Sequence, residues 1–224
     1  MRIARALGIA AVAALSLAAG KANWTATVTV APGGQHTLGN PDAKVKLTEY
    51  VSYTCPHCAR FQETADTPLR IAYITPGTLS VQINHFVRDP VDMTAAMLTN
   101  CGDAKGFFRR HHDFMAAQDR WLPRMAATTE AQRQRWATGA YPARMRAVAS
   151  DLGFYEIMAR YGTTRAGVDR CLANDAKLQQ LVAQRKVALD AGVEGTPSFA
   201  LDGVLLAGTH DWKTLQPQIA ARTN

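Results

Sequence analysis

The stretch VKLTEYVSYTCPHC, residues 45–58, joins a segment with apolar residues at alternate positions to two cysteines that have two residues between them. The alternation predicts a strand, and Glu49 falls on the same face as the apolar residues because strand side chains alternate with a period of two. Cys55 follows the strand and begins a predicted helix that extends to about Arg70. Two thiols at a strand-to-helix junction are positioned to exchange between a dithiol and a disulfide.

Cys55 is the expected nucleophile of this motif. The start of a helix presents unpaired backbone N–H groups and the positive end of the helix dipole, and both lower the pKa of a thiol. Pro56 suits the first helical turn because its nitrogen is not needed there as a donor. His57, when protonated, adds positive charge beside the thiolate. Cys58 is then the partner in a reversible disulfide.

Glu49 points in the same direction as the core residues of its strand. One interpretation is that this strand face is exposed. The other is a partly buried carboxyl group close to the cysteines, with a pKa raised by burial, that accepts or relays the proton of Cys58. We favour the second interpretation because acids with perturbed pKa values cluster at such sites.

A C-x-x-C motif is also half of a zinc site and can also form a purely structural disulfide. The other cysteines, Cys101 and Cys171, stand alone, without a second C-x-x-C or an H-x-x-x-H partner, so the spacing favours no metal site. A structural bridge from Cys55 to Cys58 would close a very short loop, and such a crosslink removes little entropy from the unfolded chain.

Cys101 and Cys171 form a second candidate pair. Four cysteines permit three pairings, and if Cys55 bonds Cys58 the other two are left for each other. Such a bridge would close a loop of about 70 residues and contribute roughly 4 kcal/mol by the chain-entropy estimate. The alternative is two separate buried thiols. We favour the bridge.

Residues 1–22 are typical of an export signal peptide. Arg2 and Arg5 provide a positive start, an apolar segment runs to Gly20, and small residues near its end suit cleavage. An uncleaved membrane anchor is the alternative, although the apolar segment falls short of the roughly 20 residues that a spanning helix needs. In either case we expect the folded part to lie in the periplasm, where disulfides persist.

The mature chain is expected to be mildly basic. Its formal net charge falls by three, from +7 to +4, without Arg2, Arg5 and Lys21. The remaining arginines are scattered and form no block of five or more basic residues, so we expect no nucleic-acid partner.

The rest of the chain predicts an α/β fold with a helical insertion. A second strand at residues 79–87 follows the first helix, and a strand, a helix and a strand in succession imply a parallel pair with a right-handed crossover. Residues 91–187 show helical periodicity without a convincing strand, which indicates an inserted all-helical domain of four or five helices. The chain closes with a predicted hairpin at residues 198–207 and a helix at residues 211–221.

At this point a family resemblance becomes specific. Residues 47–58, the helical insertion, Gly195-Thr196-Pro197 and the closing hairpin and helix together resemble the DsbA-like thiol:disulfide oxidoreductases. The resemblance covers residues 36 to 224 and implies a thioredoxin fold, formed by residues 23–90 and 188–224 and interrupted by the all-helical domain at 91–187.

The resemblance also implies roles for individual residues. Cys55 is the sulfur that attacks and is attacked, Cys58 resolves mixed disulfides, and His57 stabilises the Cys55 thiolate. Glu49 matches the buried acid of the family. The peptide bond before Pro197 is expected to be cis and to face the cysteines, and Thr196 with Pro197 would present a backbone edge to an extended substrate segment.

The implied activity is the oxidation of reduced or unfolded exported proteins. No cofactor is expected beyond the redox-active disulfide, because a stabilised Cys55 thiolate makes the Cys55–Cys58 disulfide oxidising. The resemblance implies a quinone-linked membrane oxidase as the partner that restores this disulfide. We expect a monomer.

One residue departs from the pattern of the best-known oxidases. They carry valine before the cis-proline, whereas Thr196 here is common in isomerase and reductase relatives. Those relatives usually have an additional N-terminal dimerisation domain, for which residues 23–40 are too short. An exported isomerase or reductase is therefore a second hypothesis, and a redox-silent peptide-binding or zinc-binding protein is a third.

Overall fold

The computed structural model describes residues 22–223. The expected signal peptide at residues 1–22 lies outside the described residues except for its last one. Within residues 22–223, no helix has the length and apolar character needed to cross a membrane.

A six-stranded sheet forms the centre of the fold. The strands are β1 Val28–Val30, β2 His36–Gly39, β3 Val45–Val51, β4 Leu79–His85, β5 Ser198–Leu201 and β6 Val204–Leu205. Their order across the sheet is β1-β2-β4-β3-β5-β6. β3 and β4 are parallel, as the sequence predicts, and the other neighbours are antiparallel. The strand that ends at the cysteines is therefore central and has a neighbour on each side.

Ten helices surround this sheet in the part of the chain that the structure describes. They are α1 Pro56–Leu69, α2 Pro90–Thr99, α3 Phe107–Ala116, α4 Gln118–Ala126, α5 Glu130–Ala137, α6 Tyr141–Leu152, α7 Phe154–Ala159, α8 Arg165–Leu172, α9 Asp175–Asp190 and α10 Trp212–Thr223. α1 contains Pro68 in its last turn and continues as one π-helical segment, Arg70–Ile74. The predicted end at about Arg70 thus marks a change of helix type.

The insertion is divided more finely than the sequence predicts. Eight described helices, α2 to α9, lie between β4 and β5, and the expectation of four or five is wrong. Short helices separated by tight turns explain the difference: α6 and α7 are divided only by Gly153, whose φ of 79° is left-handed. α9 packs against the sheet, where Gln184 accepts a hydrogen bond from the backbone N–H of His85 at 2.9 Å.

The described chain begins with a short helical segment before its first strand. Trp24–Ala26 forms a 3₁₀ helix, and β1 begins at Val28. β2 was not predicted, because its four residues end at Gly39, which reads as part of a turn. At the other edge, the hairpin turn Asp202-Gly203 has both residues at positive φ, 52° and 83°. This agrees with the hairpin that the sequence predicts at residues 198–207.

One main core joins the sheet to most of the helices. α1 buries Cys58, Phe61 and Ala65 in it, beside the inward-facing residues of β3. A smaller cluster lies around Tyr50 and Ala188, on the α9 side of the sheet. The redox motif is thus held between a central strand and a helix that is buried along one face.

Candidate active site

Cys55 is the N-cap residue of α1, at the point where the chain leaves the sheet. Its backbone is extended, with φ −97° and ψ 113°, and its carbonyl oxygen accepts from the N–H of Cys58 at 3.1 Å. Pro56 takes the first helical position, as the sequence predicts. Cys55 retains 3% exposure and Cys58 none. Cys55 is therefore slightly accessible to solvent, whereas Cys58 is fully buried.

The surroundings of Cys55 favour a thiolate. They lower its pKa from 9.0 to about 5, first through a hydrogen bond from the Cys58 thiol and then through the Thr196 side chain and the backbone N–H groups of Cys58 and His57. Burial acts in the opposite direction. The start of the helix thus supplies donors to an anionic sulfur, as the sequence argument predicts.

His57 contributes to this environment through its backbone. The imidazole is exposed and lines a groove beside the motif, and the group that acts on Cys55 is the His57 N–H. The role of the protonated imidazole in stabilising the thiolate remains a prediction. Pro56 is exposed beside it.

Thr196 and Pro197 lie against Cys55 from the other end of the chain. The peptide bond between them is cis, and the Cys55 thiol donates to the Thr196 carbonyl oxygen at 3.1 Å. Thr196 Oγ1 is buried and has no hydrogen-bond partner among the described residues, so its proton is available to the thiolate. Pairing of Ser198 with Tyr50 in the sheet holds this loop next to the motif.

Cys58 and Glu49 are the buried groups behind the reactive sulfur. Burial raises the pKa of the Cys58 thiol well above 9.0, and Cys55 and Glu49 add to this rise. Burial, followed by the charge of Asp66, raises the pKa of Glu49 to about 8. Glu49 is 3% exposed, so its placement agrees with the buried-carboxyl interpretation. Near neutral pH, both groups hold their protons.

A groove of about 810 Å³ lies beside the redox motif. It is lined by His57, Arg60, Phe61, Thr196, Pro197 and Trp212, among others. His210 also lines it, and its Nδ1 lies 2.8 Å from the carbonyl oxygen of Pro197. The predicted substrate-binding residues therefore share one groove with the N-terminal turn of α1.

Asp92 supports the segment before Cys55, a role that no sequence motif indicates. It is 1% exposed and accepts hydrogen bonds from Ser52 Oγ at 2.6 Å, from the Tyr53 N–H at 2.7 Å and from the Arg88 N–H at 3.0 Å. The sequence Asp89-Pro90 is a helix-start signal that could have located α2. Nothing in the sequence pairs Asp92 with residues about 40 positions earlier.

Gln118, the first residue of α4, is a second such support. Its Nε2 donates to the carbonyl oxygens of Tyr53 at 2.6 Å and Cys55 at 3.1 Å. Gln118 is 4% exposed. The helical insertion thus contacts the backbone of the redox motif directly, and no sequence signal indicated this contact.

The remaining cysteines are joined to each other. Cys101 and Cys171 form a disulfide with an S–S distance of 1.95 Å and a Cα–Cα distance of 5.7 Å. His85 is a buried core histidine, and its Nε2 lies 3.1 Å from Asn100 Nδ2. Across residues 22–223, no group of three or more His, Cys, Asp or Glu side chains is arranged to hold a metal ion.

Comparison with known proteins gives consistent similarities. A family model described as Thioredoxin matches residues 31–221. The "Putative protein-disulfide oxidoreductase" of Rickettsia typhi is 29% identical over 169 residues, which cover 75% of this chain and 54% of that protein. The chain therefore spans about half the length of the curated relatives it matches.

Two solved structures are similar over nearly all of their own length. The protein-disulfide isomerase from Novosphingobium aromaticivorans has a TM-score of 0.82 and 50% identity, and the match covers 85% of this chain and 97% of that one. The alpha-DsbA1 of Wolbachia pipientis has a TM-score of 0.65 and 21% identity, with 84% and 89% covered. At this level of identity, the similarity to the Wolbachia pipientis protein shows a shared fold.

Proposed function

The chain belongs to the thioredoxin family as a DsbA-like member, and we propose that it introduces disulfides into exported proteins by exchange at Cys55 and Cys58. The observation that carries this proposal is the asymmetry of the two sulfurs. Cys55 has a pKa lowered to about 5, whereas burial keeps Cys58 protonated. Because the reduced form contains a stabilised thiolate, reduction of the Cys55–Cys58 disulfide is favoured and the disulfide is an oxidant.

The exchange proceeds in two steps. A client thiolate attacks Cys55 Sγ, a mixed disulfide forms, the Cys55–Cys58 bond breaks, and its electron pair goes to Cys58, which takes a proton from Glu49. A second client thiolate then attacks the client sulfur of the mixed disulfide, and Cys55 leaves as a thiolate. The client loses two electrons and gains a disulfide, and the protein gains both electrons. No further cofactor takes part.

The groove beside Cys55 is the proposed site for the client. Its walls are formed by the cis-peptide loop on one side and the first turns of α1 on the other. The backbone at Thr196 lies next to the reactive sulfur, so an extended client segment can pair with it while its cysteine reaches Cys55. Reduced or unfolded polypeptides offer such segments.

The setting of this reaction is part of the proposal. We propose export to the periplasm through residues 1–22, a monomeric protein, and reoxidation by a quinone-linked membrane oxidase. The disulfide between Cys101 and Cys171 is proposed as a structural bond that closes the helical insertion. An oxidising compartment suits both this bond and the exchange reaction.

A disulfide isomerase is the second candidate. Two observations favour it: the relative from Novosphingobium aromaticivorans, 50% identical, is described as a protein-disulfide isomerase, and threonine rather than valine precedes Pro197. An isomerase attacks client disulfides from the dithiol form, whereas an oxidase begins each cycle as the disulfide, so the two candidates differ in the redox form of Cys55 and Cys58 that acts on a client.

The equilibrium of Cys55 and Cys58 with glutathione tests the proposal. The mature protein is incubated in mixtures of reduced and oxidised glutathione, the thiols are trapped by alkylation, and the oxidised fraction is measured by mass. An oxidase is expected to be reduced even in strongly oxidising mixtures and to form disulfides in a reduced client. A couple as reducing as thioredoxin, at roughly −270 mV, would contradict the oxidase assignment. The Cys55→Ser variant is the control without exchange.

A further inference from the structure

Glu49 has an unused hydrogen-bonding atom in the core. Its Oε1 is buried and has no hydrogen-bond partner among residues 22–223. The carboxyl group lines a small cavity of about 20 Å³ beneath α1. A cavity of this size accommodates about one water molecule, and the unpaired oxygen supplies a polar contact for it. Glu49 thus faces a space through which a proton can pass.

The cavity has few groups that can carry a proton further. Its charged or titratable neighbours are Asp66, Arg70 and His111. Burial lowers the pKa of His111 to about 3, and its Nε2 lies 3.1 Å from Gln62 Oε1, so this imidazole is neutral and engaged. Arg70 is paired with Asp66 at 2.8 Å. Asp66 is therefore the carboxylate through which Glu49 can reach solvent.

Asp66 connects the cavity to the outside. It lines the cavity beside Glu49 and also two larger depressions, of about 1140 Å³ and 290 Å³, on the α3 side of α1. Its side chain is 25% exposed. Asp66 therefore contacts both the cavity that Glu49 lines and bulk water.

The client groove lies on the other side of the same helix. Phe61 lines both the groove and the cavity, and its ring packs on Phe199 at a centroid distance of 4.6 Å. This ring forms a wall between the two spaces. Asp66 does not line the groove, so a client seated there leaves this carboxylate accessible.

We propose that Asp66 is the relay by which Glu49 exchanges the proton of Cys58 with solvent, on the side of α1 opposite the client. The inference rests on the proposed function. When a client reduces the disulfide, Cys58 takes a proton from Glu49, and Glu49 is reprotonated from water by way of Asp66. On reoxidation, Cys58 returns the proton to Glu49 and it leaves by the same route. Each cycle takes up one proton and releases one.

Oxidation of the reduced full-length protein by oxidised glutathione separates the steps. At low concentrations of oxidised glutathione, the rate rises linearly with concentration, and the slope reports attack of the Cys55 thiolate on oxidised glutathione. At high concentrations of oxidised glutathione, the rate reaches a plateau. This plateau reports the attack of Cys58, after Cys58 has lost its proton, on Cys55 Sγ of the mixed disulfide. Asp66→Asn is expected to lower the plateau on the order of 10-fold, within the range of general acid–base effects, and to leave the slope unchanged.

Added buffer provides a readout that a merely structural effect would not give. In Asp66→Asn, increasing concentrations of formate or imidazole should restore the plateau, whereas the plateau of the unmodified protein should not depend on buffer. Glu63→Gln is the matched control, because Glu63 is an exposed carboxylate on α1 that lines the larger depression but not the cavity. Arg70→Gln controls for loss of the ion pair while keeping the carboxylate.

Three results would overturn the inference. These are an unchanged plateau in Asp66→Asn, an equal fall of plateau and slope, or a lowered plateau that buffer does not restore. A slope typical of an ordinary thiol in the unmodified protein would instead contradict the proposed function. Failure of the relay and failure of the redox assignment are therefore distinguishable.

Discussion

The sulfur of Cys55 lies 3.1 Å from the carbonyl oxygen of Thr196, a residue 141 positions later in the chain. The two residues meet because β5 pairs with β3, so the loop that contains the cis peptide bond is anchored beside the start of α1. The reactive sulfur consequently has donors from its own helix on one side and from the Thr196 side chain on the other. The donors from the helix and the donor from Thr196 can be removed by separate substitutions.

Thr196→Val is expected to raise the pKa of Cys55 above about 5. The substitution preserves the shape of the side chain but removes the hydroxyl donor to the thiolate. The ultraviolet absorbance of the thiolate, followed in a pH titration of the reduced protein, measures this pKa. Thr64→Val is the matched control, because Thr64 lines the same groove and does not act on Cys55. An unchanged pKa in Thr196→Val would contradict the assignment.

Cys58→Ala should accumulate mixed disulfides with clients at Cys55, since the resolving sulfur is lost. It should also raise the pKa of Cys55, because the hydrogen bond from Cys58 is the largest cause of the low value. Non-reducing gels and mass spectrometry detect the adducts, and alkylation rates at several pH values report the pKa. Cys55→Ala should form no adduct. Equal adduct formation by both variants would show that Cys55 is not the preferred nucleophile.

Relative to the unmodified protein, the Glu49→Gln variant should become more stable as the pH rises. Because folding raises the pKa of Glu49 from 4.5 to about 8, the folded state keeps a proton that the unfolded chain releases between these values. The unfolding free energy of the unmodified protein therefore falls with rising pH in this window, by up to about 5 kcal/mol. An amide has no such cost.

Urea unfolding of the reduced protein and of Glu49→Gln, at several values between about pH 4 and pH 8, measures this difference. The stability of the variant relative to the unmodified protein should increase across the range. Glu63→Gln, at an exposed position on α1, should show no such trend. A constant difference would mean that Glu49 ionises alike in the folded and unfolded states.

Replacing both Cys101 and Cys171 by alanine should destabilise the fold without changing the redox equilibrium of Cys55 and Cys58. The bridge closes a segment with a sequence separation of 70, and its loss is expected to cost roughly 4 kcal/mol. Urea unfolding and the glutathione equilibrium are measured on the same double variant. A large shift of the redox equilibrium would instead couple the insertion's disulfide to the motif.

Local patterns in the sequence were sufficient for the centre of the fold. The alternation in β3, the C-x-x-C at a helix start and the following strand predict the parallel pair and place Glu49 inward. The Asp202-Gly203 turn likewise predicts the last hairpin. These features depend on neighbours in sequence, and for this reason they can be inferred without the tertiary structure.

The supports of the motif depend on distant contacts and could not be predicted in the same way. Asp92 and Gln118 hold residues 52–55 from 39 to 65 positions away. β2 is short, and its position next to β4 is what makes it a strand. The relay proposed for Asp66 likewise needed the cavity to be known, since on the helix alone this residue is one of several polar side chains.

The bond that joins Cys101 to Cys171 has the same chemistry as the bond that Cys55 and Cys58 exchange. A newly synthesised copy starts with all four thiols reduced, so its own maturation requires an oxidant. An older, oxidised copy can provide it. On the proposed function, each new copy of the protein is therefore itself a client of the reaction that it carries out.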